Sequence, residues 1–523
     1  MTACAGFDAK RGRQELLAKI GHLCFLFSSV AMNALLCLTL TEDTLAGNAQ
    51  VVRTHRKHID IAELRADFLR PSEYPALSRF PTMVDLPLVL TVRRRKDGGA
   101  FDGSEAERRQ LIQNGVAGQF AYVDREDDLD DGELDRHIRT SDKRIIRSYH
   151  DFAGVPADLG KRVRGMPRSE SELAKAAVMV RDMADLLVLL KTFQELDGVS
   201  KILIGMGDVG IPTRVLAPRL DSHICYCSPA AREAAPGQMS PEDLVDRYHF
   251  RSMNLDTKVF AVVGNPVMHS LSPSIHNRGY AQNGIDAVYV PFLVDQIGGF
   301  LQVADALGIQ GFSVTVPHKE AVLPFLTETD ETVQQVGACN TVVRGSTGWL
   351  GVNTDVEGFL RPLRKRLAGA TLPGLRCTVI GAGGAARAVV HGLVRNGAQV
   401  LILNRSIPRA IQLAQQFGCA WAPLDEDGIK RMQDFCELIV QTTSVGMEPD
   451  SDRDLVATYT FAGHELVYDL VYKPRETHLL QRARRAGCTT ITGDEMLYAQ
   501  AYAQYQLFTG VEYPFTRDEV DRI

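Results

Sequence analysis

The first half of the chain contains eight short apolar runs separated by helix-like stretches, and this alternation restricts its possible folds most strongly. Eight strands within about 190 residues, with helical intervals between them, are typical of a (βα)₈ barrel. Polar residues lie at or just past the C-terminal ends of several runs, where such barrels place their active sites. The runs are ALLCLTL (34–40), HIDIAEL (58–64), LPLVLTV (86–92), FAYVD (120–124), RIIRSY (144–149), ELAKAAVM (172–179), SKILIGM (200–206) and SHICYC (222–227).

The second half begins a new strand–helix series. A chain of 523 residues is too long for one hydrophobic core, so further domains are expected. The run KVFAVVGNP (258–266) follows a polar stretch and a helix predicted near 241–249, and CTVIGAGG (377–384) opens a separate nucleotide-binding unit. The predicted fold class is therefore α/β. Its parts are an N-terminal extension at 1–33, a (βα)₈ TIM barrel at 34–252, a substrate-binding subdomain at 257–368 and 490–523, and a Rossmann subdomain at 369–489.

Net charge, hydropathy and cysteine spacing limit which partners and which cellular location are expected. The net charge of −6 argues against a general nucleic-acid binder. The apolar stretch 22–40 holds several polar residues, so we expect an extension that leads into a buried strand; a cleavable signal peptide is the alternative. The ten cysteines lack the spacing of a zinc site, and their thin spread fits a reducing compartment. We expect a cytoplasmic protein with small-molecule substrates, no metal, and no membrane partner.

A glycine turn joins the strand at 377–380 to a helix. Gly381 permits the tight turn, and Gly383 lets the backbone approach a pyrophosphate at the helix N-terminus. The next strand ends at the position where an NAD enzyme has an acid, but here Arg405 stands there and Arg409 follows. Because a guanidinium binds a 2′-phosphate through two hydrogen bonds, the sequence predicts NADP(H). A solvated arginine at the start of a helix is the alternative. The predicted cofactor-binding residues here are Gly381, Ala382, Gly383, Gly384, Ala385, Asn404, Arg405, Ser406 and Arg409.

Small polar side chains precede this turn in the segments HSLSPSIHN (269–277), GFSVTVPHK (311–319), GACNTV (337–342) and GVNTD (351–355). Such groups suit a polyhydroxylated substrate, because each hydroxyl needs a donor or acceptor at a fixed place. Lys319 and Asp355 are the predicted acid–base pair, which delivers a proton to a carbonyl oxygen as hydride reaches the carbon. The candidate binding residues are Ser270, Ser272, Thr315, Asn340 and Asp355.

With these motifs, together with TTSVGM (442–447), YDLVYKP (468–474) and GDEMLYAQ (493–500), the region 257–523 resembles shikimate dehydrogenase. The resemblance implies that Lys319 and Asp355 are the catalytic pair. It adds Tyr472 and Gln500 to the shikimate-binding residues, and Leu470 and Gly493 to the NADP-binding residues. Quinate-using relatives belong to the same family, so the choice between shikimate and quinate stays open at this point.

A charged side chain interrupts one of the apolar barrel runs. Lys175 lies inside ELAKAAVM, where a lysine is costly unless it is paired or functional. Burial favours the neutral amine that forms a Schiff base with a ketone. His150 directly follows the preceding run and is the candidate proton-transfer group. The alternatives are a satisfied core histidine and a strand-end charge.

With ELRADFL, TVRRRKDGG, SYHDF, AKAAVM, GIPTR and AAPGQ, residues 34–250 resemble type I 3-dehydroquinate dehydratase. The resemblance implies that Lys175 forms the Schiff base and that His150 moves protons. Asp97 replaces the usual glutamate and is expected to orient His150, and Ala234 replaces a serine. The substrate-binding residues implied by the resemblance are Glu63, Arg65, Arg93, Arg214 and Gln238.

The two predicted reactions are consecutive. Dehydration of 3-dehydroquinate gives 3-dehydroshikimate, which the second half would reduce to shikimate. The tandem resembles the bifunctional dehydratase–dehydrogenases of aromatic amino-acid biosynthesis. The alternative is a quinate/shikimate dehydrogenase whose barrel is catalytically weak or senses a pathway metabolite.

Overall fold

The computed structural model describes residues 34–230, 234–367, 372–448 and 451–516. The extension and the signal peptide considered for residues 1–33 lie outside these ranges. Within the described ranges the strands form three sheets that follow one another along the chain.

The first sheet is the predicted barrel, and each of the eight apolar runs overlaps one of its strands. All described strand pairs are parallel, in the order β7-β6-β5-β4-β3-β2-β1-β8. The barrel is nearly closed: at the seam between β7 and β8, the His223 amide donates to the Lys201 carbonyl at 2.8 Å. The strands are β1 (Leu35–Leu40), β2 (Ile61–Arg65), β3 (Leu88–Thr91), β4 (Tyr122–Glu126), β5 (Arg144–Asp151), β6 (Leu173–Met179), β7 (Lys201–Met206) and β8 (Ile224–Cys227).

Helices surround the barrel, and short turns cover its C-terminal end. The helix predicted near 241–249 is a single wide turn, Asp243–Arg247. The helices are α1 (Leu45–His55), α2 (Glu105–Val116), α3 (Gly132–Thr140), α4 (Leu159–Gly165), α5 (Met183–Glu195) and α6 (Ile211–Val215).

Side chains inside the barrel form an apolar floor with a polar layer above it. Successive residues on one face of a strand are two apart, so each residue two positions beyond the floor points into the same interior. The floor consists of Cys37, Ile61, Val89, Ile146, Leu173, Ile202 and Ile224. Two positions further along five of these strands stand Thr39, Glu63, Thr91, Ser148 and Lys175, all buried. The alternation therefore puts the polar layer at the C-terminal end of the barrel.

The second sheet is mixed, in the order β10-β9-β11-β13-β14-β12. Its parallel core is β9, β10 and β11, and β13 runs antiparallel to β11 and to β14. The strands are β9 (Lys258–Gly264), β10 (Ala287–Leu293), β11 (Gly311–Val314), β12 (Glu328–Thr329), β13 (Thr341–Arg344) and β14 (Trp349–Val352). The helices are α7 (Ser272–Gln282), α8 (Ile297–Leu307), α9 (His318–Ala321), α10 (Glu331–Val336) and α11 (Asp355–Leu367).

The third sheet is entirely parallel, in the order β17-β16-β15-β18-β19-β20, which is a Rossmann-type arrangement. The chain runs outward from β15 in both directions, so a crevice opens at the C-terminal end of β15. The strands are β15 (Arg376–Ile380), β16 (Gln399–Asn404), β17 (Ala420–Pro423), β18 (Leu438–Gln441), β19 (Leu466–Asp469) and β20 (Thr489–Ile491). The helices are α12 (Gly384–Arg395), α13 (Ile407–Phe417), α14 (Glu426–Arg431) and α15 (His478–Arg485).

The last helix, α16 (Gly493–Thr509), returns to the second sheet. Gln504 donates to the Thr341 hydroxyl at 3.1 Å, and the Tyr505 hydroxyl donates to the Gly279 carbonyl at 2.9 Å. These contacts connect residues that are more than 160 positions apart in the chain.

Candidate active sites

A cavity of about 200 Å³ opens at the C-terminal end of the barrel. Its wall brings together every barrel residue that the sequence analysis selected. These residues are Glu63, Arg65, Arg93, Asp97, His150, Lys175, Arg214 and Gln238. Phe152, Tyr226 and Ala234 also line the cavity.

Lys175 lies deep in this cavity and is ion-paired. Its Nζ is 3.1 Å from Asp124 Oδ2 and 3.7 Å from Glu63 Oε1, and it lies 3.9 Å from the centre of the Tyr226 ring. Burial alone would raise the pKa of Asp124, but the neighbouring Arg93 and Lys175 cations bring it well below its usual value. Asp124 is therefore a carboxylate that holds the Lys175 amine in place.

Asp124 and Tyr226 are neighbours of Lys175 that the sequence analysis missed. Asp124 closes the run FAYVD, and a carboxylate at the end of a buried strand needs a partner just as a buried lysine does. Applying the argument used for Lys175 to this residue would have found it. Tyr226 lies within the apolar run SHICYC (222–227) and gave no comparable signal.

Arg93 fixes Asp124 from the other side. Its Nη2 lies 2.8 Å from Asp124 Oδ1, and its Nη1 donates to the Ser148 hydroxyl at 2.8 Å. Ser148 in turn donates to Asp124 Oδ1 at 2.6 Å. The polar layer is thus a connected network, which keeps the groups around Lys175 in one arrangement.

His150 lies at the end of β5 and is half-buried. Burial, together with the nearby Arg93 and Lys175 cations, holds its pKa well below the usual 6.5. Its Nδ1 is buried and has no hydrogen-bond partner within the described ranges. The imidazole is therefore neutral near pH 7 and has a nitrogen free to accept a proton.

Asp97 lies beside Arg94, and its expected role in orienting His150 stays a prediction. Its carboxylate accepts a hydrogen bond from Arg94 Nε at 2.6 Å, and no hydrogen bond between Asp97 and His150 exists among the residues described. The short side chain sits in the turn Arg95–Asp97, beside its arginine partner. Asp97 still lines the cavity.

The rim of the cavity is cationic and held in place by hydrogen bonds. Arg65 binds Asp67 through two hydrogen bonds of 2.9 and 2.8 Å. Arg214 donates to the carbonyls of Tyr226 and Pro236 at 3.2 and 3.3 Å. Gln238 accepts from the Ala234 amide at 3.1 Å. With Arg93 below them, Arg65 and Arg214 suit a substrate that carries a carboxylate.

A second site lies beside the second sheet, where Lys319 Nζ donates to Asp355 Oδ2 at 2.5 Å. Asp355 begins α11, where the helix N-terminus stabilises a negative charge. Asn340 Nδ2 donates to Asp355 Oδ1 at 2.9 Å and to Gln500 Oε1 at 3.2 Å. The structure thus brings four of the selected residues, Lys319, Asp355, Asn340 and Gln500, into one cluster.

The serines selected from the sequence form a turn before α7. Ser270 Oγ accepts from the Ser272 amide at 3.2 Å, and Tyr472 hydrogen-bonds to Ser270. Burial raises the pKa of Tyr472. The Thr315 amide donates to the Val263 carbonyl at 2.9 Å, and no described hydrogen bond joins its side chain to the rest of the site.

The glycine turn at the start of α12 has the shape of a phosphate cradle. Gly381 has φ +118°, and a Cβ there would lie 2.4 Å from Thr442 Oγ1. A Cβ on Gly383 would meet nothing within 4 Å, so the backbone faces open space at the helix N-terminus. On Gly493 a Cβ would lie 2.4 Å from the Leu470 carbonyl oxygen, so only glycine allows that approach. These observations fit a bound dinucleotide pyrophosphate.

This cradle and the Lys319 cluster adjoin one another. A Cβ on Gly384 would lie 3.0 Å from Lys319 Cβ, so the lysine stem packs against the first residue of α12. Ala382 is buried in the same turn, and Ala385 follows in α12. A nucleotide on the turn would therefore lie beside Lys319.

Arg405 and Arg409 are exposed at the C-terminal end of β16, and neither forms an ion pair with any residue that the structure describes. Asn404 donates to the Ser406 carbonyl at 2.9 Å, which shapes the turn that carries Arg405. No acid of the described residues occupies the ribose position at the end of β16. Both guanidinium groups are available for an anion.

Within the described ranges, no helix has the length and apolar character needed to cross a bilayer. No group of three or more His, Cys, Asp or Glu side chains there could hold a metal ion. The described cysteines are all free thiols.

Comparisons with known proteins cover both halves of the chain. The family model for type I 3-dehydroquinase matches residues 36–255. The model for the shikimate dehydrogenase substrate binding domain matches residues 262–342, and the shikimate / quinate 5-dehydrogenase model matches residues 363–447.

One relative extends over nearly the whole chain. The chloroplastic bifunctional 3-dehydroquinate dehydratase/shikimate dehydrogenase of Arabidopsis thaliana is 31% identical over 516 residues, which cover 92% of this chain and 83% of the relative. The shikimate dehydrogenase (NADP(+)) of Moorella thermoacetica is 41% identical over 49% of this chain and 90% of its own length. Among solved structures, the dehydroquinate dehydratase and shikimate dehydrogenase from S. pombe AroM is 24% identical, with a TM-score of 0.42, over 94% of this chain and 98% of that chain.

Proposed function

Since the chain belongs to the bifunctional 3-dehydroquinate dehydratase/shikimate dehydrogenase family, we propose that it catalyses both reactions in sequence. The barrel dehydrates 3-dehydroquinate to 3-dehydroshikimate, and the second half reduces that product to shikimate with NADPH. The observation that carries this proposal is the presence, in one chain, of two lysines whose surroundings suit catalysis. Lys175 lies among carboxylates in a cationic cavity, and Lys319 lies against a nucleotide-binding turn.

In the dehydratase reaction, Lys175 attacks the substrate ketone once its ammonium group has given up a proton, and the ketone oxygen leaves as water when the imine forms. The imine acidifies the adjacent C–H bond, and the neutral ring of His150 takes that proton. The electron pair then expels the β-hydroxyl group, which leaves as water with the proton that His150 returns to it. Water hydrolyses the imine and frees Lys175. Arg65, Arg93 and Arg214, with Glu63 and Gln238, are the proposed substrate-binding groups around the cavity.

The depressed pKa of His150 predicts an unusual pH dependence. A base must be unprotonated, so a low pKa preserves its activity as the pH falls. We expect dehydratase kcat/KM to stay flat from pH 8 to about pH 6, because the free enzyme holds His150 neutral over this range. A pH–rate series with 3-dehydroquinate measures this, with His150→Gln as the control that lacks the base. A decline centred on the usual histidine value of 6.5 would contradict the assignment.

When bound, NADPH supplies the hydride for the second reaction. Lys319 donates a proton to the ketone oxygen, and Asp355 orients the ammonium and holds its charge. Asn340, in contact with both Asp355 and Gln500, fixes the substrate hydroxyls together with Ser270, Ser272, Thr315 and Tyr472. The turn 381–385, with Leu470 and Gly493, holds the dinucleotide, and residues 404–409 bind its 2′-phosphate end.

Arg405 and Arg409 determine the preference for NADP in this proposal. One charge-assisted hydrogen bond contributes about 1.5–3 kcal/mol, which corresponds to about 10- to 100-fold in affinity, so losing both arginines should raise KM for NADP⁺ by at least that factor. The double variant Arg405→Ala/Arg409→Ala should leave KM for NAD⁺ almost unchanged, because NAD⁺ lacks the 2′-phosphate. Arg395→Ala is the matched control, since Arg395 is exposed at the far end of α12. Equal changes in KM for both cofactors would refute the role in 2′-phosphate binding.

Reductive trapping tests the dehydratase half directly. Borohydride added with 3-dehydroquinate should leave a stable mass adduct on Lys175, since it reduces the imine in place. If Lys175 carried no adduct, the alternative of a metabolite-sensing barrel would be favoured. The rates of NADP⁺-linked oxidation of shikimate and of quinate should then be compared, because a preference for quinate would overturn the choice of substrate.

We further propose the domain boundaries given by the sequence, with a break near residues 253–257 and a Rossmann subdomain at 369–489. The connection between β8 and β9, and the return of α16 to the second sheet, support these boundaries. A cytoplasmic location is also proposed, supported by the free thiols, which suit a reducing compartment.

A further inference from the structure

The last segment of the barrel half, residues 240–252, lies between the barrel and the proposed shikimate site. Leu244, Tyr248 and Phe250 of this segment are buried in one hydrophobic core, which contains residues of both the barrel and the second sheet. His55 Nδ1 in α1 is 2.6 Å from Glu242 Oε1. The segment is therefore fixed relative to the barrel.

The opposite side of this segment contacts the serine turn before α7. Arg247 Nη2 donates to the Ser270 carbonyl oxygen at 2.7 Å, and His249 hydrogen-bonds to the backbone of Asn277 within α7. Arg247 is half-buried, and its Nε is buried without a hydrogen-bond partner among the described residues. The bond to Ser270 is thus the principal polar contact of this guanidinium in the described chain.

Ser270 is well placed to transmit this contact to the substrate. Its amide donates to the Val267 carbonyl at 3.0 Å, and its hydroxyl accepts from the Ser272 amide at the start of α7. Tyr472, from the Rossmann side of the cleft, hydrogen-bonds to the same residue. The carbonyl held by Arg247 therefore belongs to a residue on which three parts of the chain converge.

We propose that Arg247, although it belongs to the barrel half, is a positioning residue for the shikimate site. It fixes the Ser270 carbonyl, and through it the directions of the Ser270 and Ser272 hydroxyls toward the substrate. Binding of shikimate in the second half then depends on a contact from the first half. This inference rests on the proposed function, because it assumes that these serines bind shikimate.

The test compares substitutions of Arg247 in the full-length protein. Losing a charge-assisted hydrogen bond should raise KM for shikimate by about tenfold in Arg247→Ala and Arg247→Gln. The KM for NADP⁺ and the dehydratase kcat/KM should both stay within about twofold of the wild type, because neither site contacts Arg247. Arg247→Lys keeps a charged donor and should restore part of the affinity for shikimate.

Arg219→Ala is the matched control, because Arg219 Nε also donates from the barrel half to a backbone carbonyl, that of Thr257, at 3.2 Å. Its KM for shikimate should equal that of the wild type. An unchanged KM in Arg247→Gln would overturn the inference, as would an equal rise in Arg219→Ala. If Arg247→Ala loses both activities together, the substitution has disturbed the fold. The KM for shikimate in Arg247→Gln and Arg247→Lys then tests the inference. Failure of the wild-type protein to oxidise shikimate with NADP⁺ would instead refute the proposed function.

Discussion

Replacing Lys175 by alanine should lower the dehydratase rate by at least about 10⁴-fold, because the substitution removes the only group proposed to form a covalent bond with the substrate. Asp124, Glu63 and His150 would remain, but none of them can form an imine. The loss should appear in kcat rather than in substrate binding, since the arginines of the rim are untouched. The dehydrogenase half should keep its activity in the same preparation.

This first experiment needs a control for the fold of the barrel, since Lys175 is buried and ion-paired. Removing one partner of a buried pair destabilises a protein by about 3–5 kcal/mol, so thermal unfolding should be recorded together with the rate. Lys175→Met keeps the volume and removes the amine, and Lys191→Ala changes an exposed lysine on α5. Folded Lys175→Met with more than a hundredth of the wild-type rate would be incompatible with Schiff-base chemistry at this residue.

Substitution of Lys319 by methionine should lower kcat for shikimate oxidation by about 10²- to 10⁴-fold, the range expected for loss of a positioned proton-transfer group. The KM for NADP⁺ should change little, because the aliphatic stem that packs against Gly384 is retained. Asp355→Asn should have a smaller effect in the same direction, since it leaves the amine but removes its carboxylate partner.

The barrel again supplies an internal control, because the dehydratase rate of Lys319→Met should equal that of the wild type. Lys258→Met, at the exposed start of β9, tests for a general effect of losing a lysine in this subdomain. Full turnover in Lys319→Met would contradict this role, and the proton donor would then be another group near Asp355.

Much of the barrel could be predicted from the sequence because its strands alternate with helices at regular intervals. The same alternation, two residues beyond each floor residue, puts Thr39, Glu63, Ser148 and Lys175 in one layer. What the pattern did not show was the partner of Lys175. Asp124 is 51 residues away in sequence, and the pairing depends on how neighbouring strands align.

The hydrogen-bond partner of Asp97 could not be predicted for a similar reason. The motif TVRRRKDGG identified a loop that reaches the cavity, and the loop does line it. The direction of a short carboxylate depends on which nearby donors can reach it. Here Arg94 Nε donates to Asp97 Oδ2 at 2.6 Å. The contact between Arg247 and Ser270 could not be predicted from the sequence either, because it depends on how the two halves of the chain pack against each other.

The central claim is that one chain performs both steps, and a single assay tests it most directly. Purified protein is mixed with 3-dehydroquinate and NADPH, with no other enzyme present. The account predicts that shikimate accumulates and that one NADPH is oxidised for each shikimate formed, at a rate abolished in Lys175→Met. It would be contradicted if 3-dehydroshikimate were reduced but 3-dehydroquinate gave no oxidation of NADPH.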